Sequence, residues 1–205
     1  LEDAILNGSY KEGDSLNELR LSKSLGVSRT PVREALMQLE LEGLVKNIPN
    51  KGAVVVGVSE QDVEDIYEIR IRTEGLAARL CAEKITDEEL EELEQCMALQ
   101  EYYLRKTDSA KEMGELDGEF HRIIFAASKS RPLQNVLTSF HNYIRRARAV
   151  SVCVTGRAEE SVSEHRAILE AITKHDGELA EKLTAEHIKN ARDNIATTVH
   201  TSCEP

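Results

Sequence analysis

The chain lacks most of the features that mark membrane proteins and disulfide-rich secreted proteins. Its 205 residues include no tryptophan, only 4% aromatic residues and four cysteines, none of them in a Cys-x-x-Cys pair. No apolar run approaches the roughly 18 residues of a membrane-spanning helix, and no secretory signal is visible. We therefore expect a cytoplasmic protein without a membrane partner, with reduced thiols and a core of Leu, Ile, Val and Ala. Since the chain opens on Leu1 rather than Met, we also expect residues before it.

The net charge of −11 argues at first against a polyanionic partner. The charge is unevenly distributed, however. Residues 1–57 carry seven Lys and Arg against eight Asp and Glu, which is a net −1 and leaves −10 for residues 58–205. Residues 20–51 contain six basic residues and only three acidic ones. An N-terminal part that binds nucleic acid is therefore compatible with an acidic C-terminal part.

Residues 28–43 have the pattern of one amphipathic helix. Ser28 is a favourable N-cap, Pro31 stands in the first turn where no backbone donor is needed, and Gly43 can close the helix. The apolar residues recur at i, i+3, i+4 and i+7, as Val32, Ala35, Leu36 and Leu39. One face of this helix is therefore predicted to be buried.

Three polar residues of the same helix, Arg29, Thr30 and Arg33, lie off the apolar face and near the N-terminus. This is the end of a recognition helix that meets base edges in helix-turn-helix proteins. Taken alone, the pattern fits an ordinary amphipathic helix with solvated arginines equally well. The flanking residues decide between the two interpretations.

Those flanking residues complete the pattern of a winged helix-turn-helix. A preceding helix is predicted over residues 16–25 on a short period of leucines, which are Leu16, Leu19 and Leu25. Two β-prone runs follow at 44–49 and 53–58, and Asn50-Lys51-Gly52 between them is a hairpin signal. Helix, turn, helix and hairpin in this order favour a recognition helix held in the major groove of double-stranded DNA.

The same residues resemble the GntR superfamily of bacterial transcription regulators. The matching segments are Leu16-Asn17-Glu18, Leu25 to Leu36, Leu39 to Val45 and Lys51-Gly52. The resemblance implies that Arg29, Thr30 and Arg33 contact DNA. It also implies that Gly52 lets the wing approach the minor groove. The family often has Arg before this glycine. Lys51 keeps the positive charge but lacks the planar guanidinium group with its paired donors, so we expect Lys51 to contact phosphate rather than read bases.

The remainder of the chain shows no strand signals and predicts six helices. They span 59–84, 86–106, 109–128, 132–152, 157–174 and 177–199. Helices of this length form an antiparallel bundle with a core of its own. The predicted fold class is therefore mainly α, with a winged helix-turn-helix domain (1–58) followed by an all-α antiparallel six-helix bundle (59–205).

Four residues that can bind a metal are predicted to point into this bundle. Asp117 and His121 are spaced i, i+4 on an apolar helix face, and His165 and His187 continue apolar stripes on two later helices. A single buried histidine is more often a hydrogen-bonded core residue than a ligand. Three histidines and a carboxylate could instead share one divalent cation, which would satisfy all four polar groups. The pattern alone leaves a metal site and a polar core as alternatives.

The spacing of these residues is similar to that of the FCD effector domain in FadR-type GntR regulators. The matching segments are Asp117 to His121, Glu164 to Ile172, and His187. In that family such residues bind a divalent metal, commonly zinc or nickel. The resemblance therefore implies four ligands, Asp117, His121, His165 and His187. Three other histidines match no ligand position and are expected to be surface or packing residues: His141, His175 and His200.

Arg70 is the candidate for effector binding. It lies on the apolar face of the first bundle helix, whereas Arg72 lies on a charged face. A buried Arg needs an anion, which could be Glu74, four residues on, or a ligand carboxylate, and we expect Arg70 to serve both roles. The resemblance places an effector-binding Arg at this position, and a metal with open coordination positions suits a small carboxylate effector. There are three further candidates for effector binding: Arg145, Arg146 and Arg148. At least two of them fit a solvated basic helix face better.

These inferences together predict a homodimeric transcription regulator that binds a short palindromic operator and responds to a metabolite as a repressor. One alternative is a regulator in which the metal ion itself is the signal. In another, the metal is structural and the bundle only mediates dimerisation. A metal-dependent hydrolase would need a nucleophile or base motif, and none is evident, so we expect no enzymatic activity.

Overall fold

The structure is a computed structural model that describes residues 1–49, 51–106, 109–152 and 157–201, with side chains for all of these except 60, 145–152 and 195–201. The chain divides into two units, Leu1–Asp62 and Val63–Pro205. Among the helices in the described ranges, none is both long and apolar enough to cross a membrane.

The N-terminal unit is a helix-turn-helix with a small antiparallel sheet. Its elements are α1 (Glu2–Leu6), β1 (Ser15–Leu16), α2 (Glu18–Leu25), α3 (Arg29–Leu41), β2 (Val45–Ile48) and β3 (Gly52–Val55). The strand order is β1-β3-β2, and both outer strands pair antiparallel with β3. Aliphatic residues from α2, α3 and the strands form the core, including Leu16, Leu21, Val32, Leu36, Val45 and Val55.

Helix α3 forms as its apolar pattern predicts. Val32, Leu36 and Leu39 are buried, and the helix begins directly after Ser28, although the Ser28 side chain makes no capping hydrogen bond. The helix ends two residues before Gly43, which adopts a positive φ of 78° as the chain turns into β2. Glycine takes this left-handed conformation without the steric penalty that a Cβ would bring.

The helix before it differs from its prediction. Leu16 lies in β1, and Leu19 and Leu25 are about half exposed (51% and 55%). The cause is the cap at Asn17, whose side chain accepts hydrogen bonds from two backbone amides and so starts α2 after the strand. With this start, the helix turns a different face to the core, on which Leu21 is buried.

The predicted two-stranded wing is part of a three-stranded sheet. β2 and β3 pair with Val45 opposite Val55 and Ile48 opposite Gly52. The additional strand β1 pairs with the other edge of β3; with only two residues, it is too short to show a strand pattern in the sequence. Asn50, which belongs to the predicted hairpin signal, lies outside the described residues.

Six helices follow the sheet in the described part of the chain. They are α4 (Glu60–Lys84), α5 (Asp87–Leu104), α6 (Ala110–Ala127), α7 (Arg131–Val152), α8 (Arg157–Thr173) and α9 (Gly177–Thr201). Each agrees with a predicted span to within two residues at either end. The predicted fold class, mainly α with a small β wing followed by helices, is confirmed.

Local signals explain where these helices begin and how closely they pack. Thr86 and Glu89 form a capping box at the start of α5. In α4, a Cβ added at Gly75 would stand 2.9 Å from the backbone oxygen of Glu181 in α9. The absent side chain therefore lets α4 and α9 approach one another closely.

The six helices enclose one main apolar core. It is built largely from aliphatic and small residues together with two phenylalanines, and includes Ala77, Leu93, Met97, Phe120, Ile124, Phe125, Leu137, Ile168 and Ile172. Cys81 and Cys96 are buried in this core as free thiols, whereas Cys153 and Cys203 lie outside the described residues.

Candidate DNA-binding surface and candidate metal centre

The N-terminal end of α3 presents three polar side chains to solvent. Arg29, Thr30 and Arg33 are exposed, and the two arginine side chains retain 60% and 59% of their accessible surface. The face that carries Val32 and Leu36 is buried. The structure thus brings together, on one accessible surface, the three predicted DNA-contacting residues of this helix.

Glu18, in the first turn of α2, bridges the two arginines. Its Oε2 accepts a hydrogen bond from Arg29 Nη2 at 2.8 Å, while Arg33 donates from Nε to Oε1 and from Nη2 to Oε2, both at 3.1 Å. The hydrogen bonds from Arg33 and then Arg29 lower the pKa of Glu18 to about 2. Sequence pattern does not predict this contact, because it joins side chains of two different helices.

The turn between β2 and β3 carries the predicted wing residues. Lys51 is exposed, and its amide donates to the Ile48 carbonyl at 3.0 Å. Ser15 Oγ donates to the Lys51 carbonyl at 3.1 Å and so ties the turn to β1. Gly52 has a φ of 78°, in the left-handed region. Lys46 on β2 is also exposed. The wing therefore presents two lysine side chains beside Gly52, which has no side chain.

The four predicted metal ligands converge in the helical unit. One ligand atom from each lies within 4.8 Å of the ligand atoms of the other three: Asp117, His121, His165 and His187. The histidines are almost completely buried, and Asp117 is partly buried. α6 supplies the first two, one turn apart, while α8 and α9 supply one each.

The apolar surroundings of these histidines are largely those predicted. Phe120, next to His121 on α6, stacks on the His165 ring with centroids 4.2 Å apart and planes 14° apart. The sequence predicts that His187 continues an apolar stripe formed by Leu179 and Leu183, and this is partly wrong, because Leu179 is exposed. Ala180, seven residues before the histidine, faces the core instead, since that spacing completes two helical turns more closely than eight residues do.

Each histidine faces an oxygen atom with its Nδ1. His187 Nδ1 is hydrogen-bonded to Glu164 Oε2 at 2.7 Å and His165 Nδ1 to Gln100 Oε1 at 2.8 Å. His121 Nδ1 lies 3.0 Å from Glu74 Oε2 without hydrogen-bond geometry. Gln100 is oriented by donating from Nε2 to the Leu116 carbonyl at 3.0 Å, so its oxygen faces His165. Metal-binding histidines commonly donate their second nitrogen to such an acceptor.

When Nδ1 carries the proton of each ring, the three Nε2 atoms face one another as acceptors. His187 Nε2 lies 3.2 Å from Nε2 of both His121 and His165, and Asp117 Oδ1 lies 3.6 Å from His165 Nε2. Lone pairs this close repel unless a proton or a metal cation lies between them. Burial lowers the pKa of His121, which disfavours a proton in that place. Two nitrogens on a tetrahedral zinc ion, at roughly 2.0–2.1 Å each, stand about 3.4 Å apart. The donor set therefore fits a divalent metal.

A salt bridge orients the acceptor of His187. Arg157 donates to both oxygens of Glu164, at 3.0 and 2.8 Å, and Asn190 donates to the same carboxylate at 2.8 Å. Burial opposes a charge on Glu164, but hydrogen bonds from His187 and Arg157 outweigh it and hold the pKa of Glu164 at about 2. The carboxylate therefore remains ionised and accepts from His187 Nδ1.

A second polar cluster adjoins the first through His121. Arg70 and Glu74 are buried and form an i,i+4 ion pair on α4, and Arg72 is exposed, as predicted. His141 Nε2 lies 2.9 Å from Glu74 Oε1 and 3.2 Å from Arg70 Nη2. Burial opposes ionisation of Glu74, but Arg70, His141 and His121 together hold its pKa well below the usual value. Of the two anions considered for Arg70, the structure supplies Glu74.

Sequence spacing does not reveal the role of His141. It was expected at the surface or in packing, yet its ligand atom groups with those of Glu74 and His121. No motif marks it, because the contact depends on how α7 packs against α4 and α6. His175 is exposed, and His200 lies outside the described side chains. The same holds for the three further effector candidates, Arg145, Arg146 and Arg148.

Family models match both units of the chain. Residues 1–55 match the model of bacterial regulatory proteins of the gntR family, and residues 65–190 match that of the FCD domain. The chain belongs to the gntR family. It is a DNA-binding transcription regulator with an FCD domain, and not an enzyme.

This gntR-family regulator has relatives that align along most of its length. It is 34% identical over 195 residues to the uncharacterised HTH-type transcriptional regulator YdhC of Bacillus subtilis, covering 95% of this chain and 87% of YdhC. It is 27% identical over 183 residues to the HTH-type transcriptional repressor RspR of Escherichia coli, covering 89% and 80%. Its fold is similar to that of E. coli McbR/YncC, with a TM-score of 0.77, 22% identity and coverage of 97% and 94%. The predicted family is confirmed.

Proposed function

We propose that this regulator is a homodimeric repressor whose affinity for its operator is set by a small carboxylate effector bound beside a divalent metal, zinc or nickel. One observation carries the sensing part of the proposal. Three buried Nε2 atoms converge beside the Asp117 carboxylate, and a divalent cation between them would be bound by all four groups. The similarity to a protein named as a repressor, RspR, supports repression rather than activation of transcription.

The DNA-binding role is proposed for five residues. Arg29, Thr30 and Arg33 would contact base edges from the first turns of α3, the part of a recognition helix that meets the major groove. Lys51 would contact phosphate, and Gly52 would let the wing enter the minor groove. Because one such surface is only modestly basic, a dimer on two half-sites of a short palindrome would raise the affinity.

The metal would be held by Asp117, His121, His165 and His187. These three imidazoles and one carboxylate are ligand types that zinc and nickel both accept. A bound divalent ion supplies a Lewis-acidic centre with positions for a ligand oxygen. Glu164 and Gln100 would hold His187 and His165 through their Nδ1 atoms in the orientation that a metal requires, and Glu74 stands 3.0 Å from His121 Nδ1.

A groove beside the second polar cluster is the proposed path for the effector. It has a volume of about 450 Å³ and runs between α6 and α7, with Gly114, Gly118, Phe125, Thr138 and His141 in its lining. Pockets for small molecules typically have volumes of about 300–1,000 Å³. His141 joins this groove to the ion pair of Arg70 and Glu74. An effector carboxylate would bind Arg70 in competition with Glu74.

Regulation then requires that the effector prefer one arrangement of the dimer. A coupling free energy of about 1–3 kcal/mol would change operator affinity roughly 5- to 150-fold. By linkage, the operator would weaken the binding of the effector by the same factor.

The first test separates the two units. Arg33→Ala is expected to abolish binding to a duplex selected by this protein from a random pool, while elemental analysis finds an unchanged metal content. Arg20→Ala, which removes the charge of another exposed arginine of the same unit, serves as the control and is expected to bind nearly as the unsubstituted protein. Loss of DNA binding and metal together, or retained operator binding, would contradict the assignment.

The second test identifies the signal. Operator release is measured across a panel of small carboxylates at constant metal, and then across metal concentrations without carboxylate. The proposal expects release by at least one carboxylate at constant metal. DNA affinity that follows the metal alone would favour the metal-sensing alternative.

A further inference from the structure

Glu18 occupies an unusual place for an acidic side chain in a DNA-binding surface. It lies in the first turn of α2 with 27% of its side-chain surface exposed, and accepts three hydrogen bonds from the two arginines that the preceding proposal assigns to the operator. Arg29 and Arg33 stand one turn apart on α3, where two like charges repel each other. A carboxylate placed between them offsets that repulsion and holds both side chains.

The hydrogen-bond pattern also determines which edge of each guanidinium is left for a ligand. Arg33 uses Nε and Nη2 toward Glu18, so Nη1 and the second hydrogen of Nη2 point away from it. Three of the five donors of the group therefore remain, and the edge formed by Nη1 and Nη2 can bind O6 and N7 of guanine in the bidentate manner. Arg29 uses only Nη2. Both arginines can therefore contact DNA while Glu18 still holds them.

The charge of Glu18 has a separate consequence for DNA without the operator sequence. Nonspecific binding depends on how many phosphates the cations neutralise. Glu18 leaves the triad with Arg29 and Arg33 at a net charge of +1 instead of +2, which weakens any purely electrostatic contact. A base contact needs one edge of the guanidinium in a defined orientation. Such a contact loses less affinity, because Glu18 already holds that edge in place.

We propose that Glu18 is a specificity-determining residue, which positions Arg29 and Arg33 for base contacts and suppresses their attraction to phosphate. The inference rests on the proposed contact of these arginines with DNA. An ion pair that only stabilised the fold would be a weak rival, because exposed pairs contribute little to stability. The two roles differ in what they do to the ratio of specific to nonspecific affinity.

The test measures that ratio for the full-length protein and four variants by fluorescence anisotropy. The specific probe is a duplex that the unsubstituted protein selects from a random pool, and the nonspecific probe is a scrambled duplex of equal length and composition. Glu18→Gln removes the charge and keeps the size. Glu18→Asp keeps the charge on a shorter arm. Glu2→Gln, at an exposed carboxylate of α1, is the matched control, and Arg33→Ala tests the assumed contact.

Glu18→Gln is expected to bind the scrambled duplex more tightly, with a steeper dependence on salt, and to lose about tenfold in the affinity ratio relative to Glu2→Gln. Glu18→Asp is expected to keep the nonspecific affinity of the unsubstituted protein but bind the selected duplex less well. Thermal melting of both should stay close to that of Glu2→Gln.

A fall in the ratio of less than about threefold for Glu18→Gln overturns the inference, whatever the individual affinities do. A larger fall that Glu18→Asp fully restores overturns the positioning part and leaves the charge effect. If Arg33→Ala still discriminates between the duplexes, the proposed DNA contact itself is wrong. If Arg33→Ala loses discrimination while Glu18→Gln is unaffected, only the role of Glu18 is removed.

Discussion

Replacing His187 with glutamine should remove the metal-dependent part of the stability of this regulator. His187 is the residue through which the cluster is joined, because its Nε2 lies 3.2 Å from Nε2 of both His121 and His165. Glutamine has a similar length and remains polar, but its amide is a much weaker ligand than imidazole. The variant therefore tests the metal site without opening a large cavity.

The expected size of the effect follows from binding linkage. A metal that binds only the folded protein stabilises it by about 2.7 kcal/mol when its free concentration is one hundred times the dissociation constant. For a chain of this length, each kcal/mol raises the melting temperature by roughly 2–4 °C. Adding zinc or nickel to chelator-treated protein should therefore raise the melting temperature by roughly 5–11 °C. His187→Gln should show only a small fraction of that rise.

The assay is calorimetry on both proteins, with and without metal, so that each variant is its own reference. This matters because losing the hydrogen bond to Glu164 also changes the metal-free protein. His175→Asn is the control: His175 is an exposed histidine with a positive φ of 54°, which asparagine tolerates. An equal rise for His187→Gln and His175→Asn, or no rise for the unsubstituted protein, would refute the reasoning.

Two further predictions concern packing in the helical unit. Gly75→Ala should destabilise the protein by about 1–3 kcal/mol, because its Cβ would stand 2.9 Å from the backbone oxygen of Glu181; Gly114→Ala, in a helix with open space around it, should instead stabilise by roughly 0.5–1 kcal/mol. Chemical denaturation of both variants measures the contrast, and equal effects would show that α4 and α9 are not packed this closely. Burial raises the pKa of Cys81 to about 12 and that of Cys96 to about 11. At pH 8 both thiols should therefore resist alkylation in the folded protein and react on unfolding, as peptide mass spectrometry would show; rapid modification without denaturant would contradict their burial.

Helix periodicity and caps predicted most of the fold, because they are encoded within a few consecutive residues. The six later helices and α3 have apolar stripes and end signals that are strong enough to be read locally. The same logic failed for α2, where three leucines suggested one face and the cap at Asn17 selected another. It also missed β1, since a two-residue strand exists only through its pairing with β3.

The same distinction between local sequence signals and tertiary contacts applies to the candidate sites. The sequence by itself determined the family, the exposed arginines of α3 and the inward direction of the four metal-ligand candidates, because facing on a helix follows from spacing. Only the tertiary structure decided which atoms meet: Glu18 between Arg29 and Arg33, and Gln100 and Glu164 behind the imidazoles. These contacts join separate helices, and a side chain's partners across a helix interface depend on how the helices pack, which no local pattern records.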